Sequence, residues 1–110
     1  MISFFDCFHD MGDPGGAAKR ASENLAPGGS ALIVEPMAGH TVTENLNLIG
    51  RTFSAASTLC CTANSLALGG PALEAVATED ALRTTVLAGG FKEFRRASET
   101  PFVSVFEARN

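Results

Sequence analysis

Two short apolar runs on either side of one helical pattern constrain the fold of this 110-residue chain most strongly. The runs, residues 2–9 and 30–35, are too short for typical helices and end in polar and turn residues. Residues 13–25 begin with Asp-Pro, which is typical of a helix start, and continue with alanines at helical spacing. Because both runs are mainly apolar, we expect two strands buried on both faces. Strand, helix and strand in this order predict a parallel β-α-β unit with a right-handed crossover.

The middle of the chain is too long and too polar for a simple connection between two elements. Thr41 and Glu44 have the spacing of a capping box, and apolar residues from Leu46 to Ala56 follow at helical intervals. Residues 62–73 contain Asn, Ser and a Gly-Gly-Pro sequence, which favours a loop. Since long inserts in compact domains are usually lids or binding segments, we predict a helical lid over residues 41–77.

The last third of the chain predicts one helix and a β-hairpin. Thr78 has the residue type of a helix cap, and the helical pattern continues to Gly89-Gly90. Residues 91–96 mix charged and apolar side chains, as in an edge strand, whereas residues 102–106 have the apolar character of a central strand. Their short link makes them antiparallel. One domain then comprises a β-α-β unit (1–40), the lid (41–77) and a helix with a hairpin (78–110).

Composition and charge exclude several classes of function. Eight basic and twelve acidic residues give a net charge of −4, which argues against a general nucleic-acid surface. The uncharged run 52–73 is rich in Ser, Thr and Asn, which favours a buried or cleft-lining segment over a membrane span. The N-terminus lacks the features of a signal peptide, so we expect a cytoplasmic protein.

The three cysteines, Cys7, Cys60 and Cys61, and the two histidines lack the spacing of metal ligands. Adjacent cysteines seldom form a disulfide with each other, because the bond requires separated Cα atoms. The sequence therefore predicts buried, reduced thiols and no metal site.

Four motifs lie in order along the chain: F-D-C-F-H-D-M-G-D-P, G-G-S-A-L-I-V-E-P-M-A-G, N-L-N-L-I-G-R-T-F and T-P-F-V-S-V-F-E-A-R. Together they resemble the C-terminal half of a class I S-adenosylmethionine-dependent methyltransferase, most closely a bacterial group that often carries an upstream winged-helix domain. The resemblance covers essentially the whole chain. It implies a Rossmann-like α/β fold with a mixed sheet, in which residues 2–9, 30–35, 91–98 and 102–109 are strands four to seven. The last strand is then antiparallel and lies between strands five and six.

The resemblance also implies a cofactor, S-adenosylmethionine, and a small-molecule methyl acceptor as substrate. The glycine-rich loop that follows strand one in this family is not found here, since no Gly-x-Gly-x-Gly occurs in the 110 residues. We therefore expect a fragment of a longer methyltransferase that is inactive alone. In the intact protein, Asp6 and Cys7 on strand four would lie beside the cofactor; the alternative is core packing, which suits Cys7 better than Asp6.

His9 and Asp10 are the predicted catalytic residues. They lie where the related plant-type O-methyltransferases carry a His-Asp-Trp-Ser-Asp motif, although Met11 and Gly12 replace the Trp and Ser here. Ligands bind at the carboxyl ends of strands in open α/β sheets, and a neutral imidazole can take a proton from a hydroxyl nucleophile. Because adjacent strand residues face opposite ways, both side chains reach the cleft only if a turn begins between them. The alternative is that they end the strand and cap backbone amides.

Glu35, Asn45 and Arg51 are the predicted substrate contacts, at the end of the second strand and on the lid helix. For Glu35 the alternative is capping of the next segment, and for Asn45 and Arg51 it is a solvated helix face.

Two other functions are compatible with the sequence. The first is a non-catalytic interaction module that pairs its open sheet edge with a partner or forms a homodimer. The second is half of another Rossmann-type enzyme, although the terminal hairpin argues against it.

Overall fold

The computed structural model describes residues 1–73 and 77–110. Within these ranges four strands form one mixed sheet in the order β1-β2-β4-β3. β1 and β2 are parallel, and β4 runs antiparallel to both of its neighbours. The elements, in chain order, are β1 (Ile2–Phe5), a 3-10 turn (Phe8–Asp10), α1 (Pro14–Asn24), β2 (Ser30–Pro36), α2 (Leu48–Ala56), a π-helical turn (Ser57–Cys61), α3 (Thr62–Ala67), α4 (Glu79–Ala88), β3 (Glu93–Glu99) and β4 (Val103–Arg109).

The α/β class, the parallel β-α-β unit and the terminal hairpin are confirmed.

The predicted starts of α1 and α4 are also confirmed. The Asp13 carboxylate accepts a hydrogen bond of 2.7 Å from Gly16 N, and the Thr78 hydroxyl accepts one of 3.3 Å from Ala81 N. These side chains satisfy backbone amides that no carbonyl of the helix can reach. The two helices therefore begin where the sequence pattern places them.

The hydrophobic core lies between one face of the sheet and helices α1 and α4. Phe94 and Phe106 stack with their ring centroids 5.1 Å apart, which joins β3 to β4 on this face. The other buried members are Phe8, Ala18, Ala21, Ala31, Ile33, Ala77, Leu82, Val86, Phe91 and Ala108. This packing fixes β2 and β4 as the central strands.

β1 is shorter and more exposed than the sequence predicts. It ends at Phe5 rather than at residue 9, because Asp6 adopts a left-handed conformation with φ of 51° that Asp tolerates better than most residues. Its outward-facing side chains, Ser3 and Phe5, are exposed, and Phe5 is 64% exposed. Among the described residues β1 pairs only with β2. The prediction of a first strand buried on both faces is therefore wrong.

The predicted capping box forms, but the helix begins later than predicted. Glu44 N donates to the Thr41 hydroxyl at 3.2 Å, and the Glu44 carboxylate accepts from Thr41 N at 3.1 Å. α2 itself begins at Leu48, after Asn47, whose side chain accepts from Gly50 N at 2.8 Å. The box stabilises a separate turn, and Asn47 is the true N-cap of the helix.

The helical segment then continues past the predicted loop boundary. The π-helical turn leads directly into α3, so the prediction of a loop over residues 62–73 is wrong for 62–67. Ser65 is fully buried, donates to the carbonyl of Met11 at 3.0 Å and accepts from Ala72 N at 3.1 Å. The hydrogen bond between Ser65 and Met11, which are 54 residues apart, stabilises the helical conformation of a segment whose local composition favours a loop. Residues 74–76 of the predicted lid lie outside the described residues.

The uncharged run 52–73 raised the possibility of a membrane-spanning helix, which was tested on the residues that the structure describes. None of their helices combines the length and the apolar character that crossing a bilayer requires.

Gly89 marks a close approach of α4 to α1, and Gly89→Ala is expected to destabilise the protein by about 1–3 kcal/mol through overpacking. A Cβ at this position would lie 2.5 Å from Ala18 Cβ and 2.9 Å from Lys19 N. Gly15→Ala is the matched control, since its nearest neighbouring atom lies 3.8 Å away and Ala is favoured in helices by up to about 1 kcal/mol. Chemical unfolding measures both. Equal losses of stability would contradict the prediction.

Candidate functional site

The candidate site lies where β1 and β2 end side by side. Phe5 is paired with Val34 in the parallel ladder, and Asp6 N donates to the carbonyl of Val34 at 2.8 Å. The left-handed turn at Asp6 then leads the chain into the 3-10 turn that carries His9. His9 is 3% exposed, and Glu35 near the end of β2 is 1% exposed. Two ionisable side chains from different elements are thus buried together.

Both oxygens of the Glu35 carboxylate have partners in the turn after β1. Oε1 accepts a hydrogen bond from the backbone amide of Phe8 at 2.9 Å, and Oε2 contacts Nδ1 of His9. A buried carboxylate is costly unless it is paired and hydrogen-bonded, and these two contacts provide the compensation. Glu35 therefore ties the turn to β2. Its predicted contact with substrate stays a prediction, although the geometry favours a role in positioning His9.

The contact with Glu35 determines which nitrogen of His9 is free. A carboxylate only accepts hydrogen bonds, so Nδ1 carries the hydrogen in this contact. In the neutral ring Nε2 is then the nitrogen with a free lone pair. Burial on its own lowers the pKa of His9, but the hydrogen bond and charge of Glu35, with Asp10 and Asp6 adding to it, outweigh burial. The pKa of His9 is therefore raised above its ordinary value of 6.5.

The raised pKa of His9 predicts a stability that depends on pH. The folded state holds the His9 proton more tightly than the unfolded state, so the extra stability is complete below pH 6.5. It is lost as the pH rises from 6.5 through the folded-state pKa. Urea unfolding between about pH 6 and 8 measures this loss, and Glu35→Gln is expected to flatten the curve. An equal slope in wild type and Glu35→Gln would contradict the prediction.

A cavity of about 150 Å³ opens beside the buried pair. It brings together the two predicted catalytic residues and one predicted cofactor residue with side chains of the helical segment. Its lining residues are Asp6, His9, Asp10, Pro36, Phe53, Ala56 and Cys61. His9 and Asp10 lie in the 3-10 turn rather than on a strand, so both reach the cavity although they are adjacent in sequence. The turn begins at Phe8, before both residues, rather than between them as the sequence suggested.

The other predicted site residues lie away from this cavity. Cys7 is half-buried, and burial raises the pKa of its thiol. The amide of Asn45 accepts from Gly39 N at 2.8 Å and donates to the carbonyl of Gly39 at 3.2 Å, so it holds its own loop together. Arg51 is exposed on α2, and none of the ion pairs found among the described residues involves it. None of these three residues lines the cavity beside His9.

Asn45 instead lines a second cavity, of about 470 Å³, between the loop before α2 and the β3–β4 hairpin. Arg96 and Glu99 form its far side, and Arg96 is paired with both Glu79 and Glu99. These contacts raise the pKa of Arg96, with the hydrogen bond to Glu99 as the largest cause. The charged groups on this side thus neutralise one another.

Cys61 is the residue of the site that the sequence did not indicate. It is half-buried, and burial together with the charge of Asp10 raises the pKa of its thiol. Cys60 is exposed, so the prediction that both neighbouring thiols are buried is wrong. A π-helical turn, which has no simple sequence signature, ends at Cys61. No local signal therefore pointed to this thiol.

Comparison with protein-family models and with curated proteins gives no match for this chain. The function is therefore inferred from the four motifs, the strand order and the geometry around His9.

Proposed function

We propose that this chain is the C-terminal half of a class I S-adenosylmethionine-dependent methyltransferase domain that acts on a small-molecule acceptor. The observation that supports this most strongly is the contact between the buried carboxylate of Glu35, at the end of β2, and the imidazole of His9, in the turn that follows β1. The strand order supports the proposal, because the C-terminal strand β4 lies antiparallel between β2 and β3, as the resemblance implies.

The proposed role of His9 is to accept a proton from the methyl acceptor. S-adenosylmethionine supplies the methyl group when it is bound. Nε2 of His9 takes the proton as the nucleophile reacts, and the resulting imidazolium is stabilised by the carboxylate of Glu35. The raised pKa of His9 makes the ring a stronger base. Asp10, in the same turn, contributes negative charge that favours the protonated ring.

The described residues fit only one side of such a cofactor. The cavity beside His9 holds about 150 Å³, which is below the roughly 300–1,000 Å³ of typical ligand sites. Asp6 is exposed at its rim, where it can accept a hydrogen bond, but no glycine-rich loop is present in the 110 residues. In this proposal a segment upstream of Met1 supplies the remaining walls.

Three measurements test the proposed function. Calorimetric titration of the 110-residue chain with S-adenosylhomocysteine is expected to show no binding, and micromolar binding would contradict the half-site assignment. The DNA upstream of Met1 is expected to encode, in frame, a strand, a glycine-rich turn and a helix. The chain joined to that segment is expected to form S-adenosylhomocysteine from S-adenosylmethionine. Absence of such a segment would overturn the proposal.

A second candidate function is an interaction module that uses the open edge of the sheet. β1 presents an unpaired edge among the described strands, and Phe5 is exposed beside it. Exposed edge strands readily pair with another chain, and a lysine on such a strand opposes pairing. This candidate predicts a discrete dimer in size-exclusion chromatography that Phe5→Lys dissociates. Val42→Lys, at an exposed position outside the sheet, is the control.

A further inference from the structure

We propose that His9, Asp10 and Cys61 form a binding site for a divalent transition-metal ion, with Zn²⁺ as the best match. One ligand atom from each side chain lies within 4.8 Å of the other two. His9 and Asp10 come from the turn after β1, whereas Cys61 ends the π-helical turn after α2. All three line the same cavity of about 150 Å³. The tertiary structure thus assembles a ligand set that no spacing in the sequence indicates.

The chemistry of the three ligands selects the class of ion. Zn²⁺ accepts imidazole nitrogen, carboxylate oxygen and thiolate sulfur, whereas Mg²⁺ and Ca²⁺ prefer oxygen ligands alone. Thiolate and imidazole together therefore favour a borderline transition metal over the hard cations. The carboxylate of Asp10 and the thiolate of Cys61 also supply two negative charges, which balance the charge of a divalent ion.

The contact between Glu35 and His9 is the arrangement that metal-binding histidines typically have. Such histidines usually donate their second ring nitrogen to a carboxylate or carbonyl, which fixes the orientation of the ring. Here Nδ1 is used by the buried Glu35, so Nε2 is the nitrogen left for an ion. The π-helical turn that ends at Cys61 is a second, independent feature, since π-helical turns occur frequently at functional sites.

The positions of the ligands require only a small adjustment to hold zinc. Zinc–ligand bonds of about 2.0–2.3 Å place the ligand atoms of one ion about 3–4 Å apart. Separations of up to 4.8 Å between the ligand atoms therefore have to shorten by up to about 1–2 Å. His9 is held by Glu35, whereas Asp10 and Cys61 are half-buried side chains that face the open volume of the cavity they line. Three protein ligands leave a fourth position open to the cavity, as in catalytic zinc sites.

Metal binding and proton acceptance by His9 cannot occur at the same time, because both require the lone pair of Nε2; the proton acceptance proposed above belongs to the metal-free protein. The metal site therefore does not rest on the proposed methyl transfer. An ion in this site would instead lower the pKa of a water or acceptor hydroxyl in the open fourth position.

Titration of the reduced, metal-free 110-residue chain with Co²⁺ tests the site. We expect thiolate-to-cobalt charge-transfer absorption that saturates at one ion per chain and disappears when Zn²⁺ is added. Cys61→Ser is expected to abolish this absorption, and Cys60→Ser, at the adjacent exposed thiol, is expected to retain it. Asp10→Asn is expected to weaken binding at least tenfold, and Glu35→Gln by about 10–100-fold.

Alkylation of the wild-type chain provides a measurement that needs no variant. Zn²⁺ is expected to slow the reaction of Cys61 with iodoacetamide and to leave exposed Cys60 reactive, as followed by mass spectrometry. Three results would each overturn the site: no charge-transfer absorption in wild type, absorption that survives Cys61→Ser or requires Cys60, or alkylation of Cys61 that Zn²⁺ does not change. Both assays are independent of methyl transfer, so failure of one proposal is distinguishable from failure of the other.

Discussion

Glu35→Ala is expected to lower the free energy of unfolding by about 3–5 kcal/mol, the range found when one partner of a buried charged pair is removed. The substitution leaves the amide of Phe8 and Nδ1 of His9 buried without the acceptor that they now share. It also opens a space in a position that is only 1% exposed. Urea unfolding followed by circular dichroism measures the change.

One further variant separates the charge of Glu35 from its shape, and a second provides a control at an exposed glutamate. Glu35→Gln keeps the side-chain volume and an oxygen for the Phe8 amide, so a smaller loss is expected. Glu93→Ala, at an exposed position on β3, is the control for loss of a glutamate and is expected to change stability by about 0.5 kcal/mol or less. A loss in Glu35→Ala no larger than that in Glu93→Ala would show that the buried pair contributes little to the fold.

His9→Gln is expected to reduce kcat for methyl transfer by about 10²–10⁴-fold in the chain joined to its upstream segment, which is the usual contribution of general acid–base catalysis. Glutamine retains a side chain that can contact Glu35 but cannot accept the proton at neutral pH. Binding of S-adenosylhomocysteine is expected to be unchanged, because His9 is proposed to act on the acceptor. Initial rates and calorimetry on the same preparation separate the two effects.

His40→Gln is the matched control for that measurement. His40 is exposed and lines the larger cavity beside the hairpin, away from Glu35. The His40→Gln variant is expected to retain the wild-type kcat. A rate in His9→Gln within about threefold of wild type would exclude His9 as the proton acceptor, since even weak general-base catalysis contributes about 100-fold.

The parts of the fold that the sequence predicted correctly are those that local signals specify. Asp13 and Thr78 mark the starts of two helices because a side-chain oxygen three residues before a free amide is the local requirement for a cap. The two apolar runs and the intervening helix are sufficient for a parallel β-α-β unit, since a short crossover leaves few other arrangements. The short link at Thr100 and Pro101 likewise determines the antiparallel hairpin.

Sequence reasoning located the edge of the sheet at which the candidate residues lie, but it did not reveal the contact between Glu35 and His9. Sequence reasoning placed His9, Asp10 and Glu35 at the carboxyl ends of neighbouring strands, and all three lie there. It predicted that Glu35 contacts the substrate or caps the next segment, and it had no means to find that the carboxylate contacts His9, 26 residues away along the chain. It had no means to find Cys61, because that thiol reaches the cavity through a π-helical turn.

The sequence by itself therefore determined the order and type of most elements, because capping, periodicity and short links act within a few residues. Only the tertiary structure decided where the first strand ends, that the Glu35 carboxylate contacts Nδ1 of His9, and that Cys61 rather than Cys60 lines the site. Those features depend on the left-handed turn at Asp6 and on packing between segments far apart in the chain. Side-chain direction at such points is set by the neighbours that folding brings together.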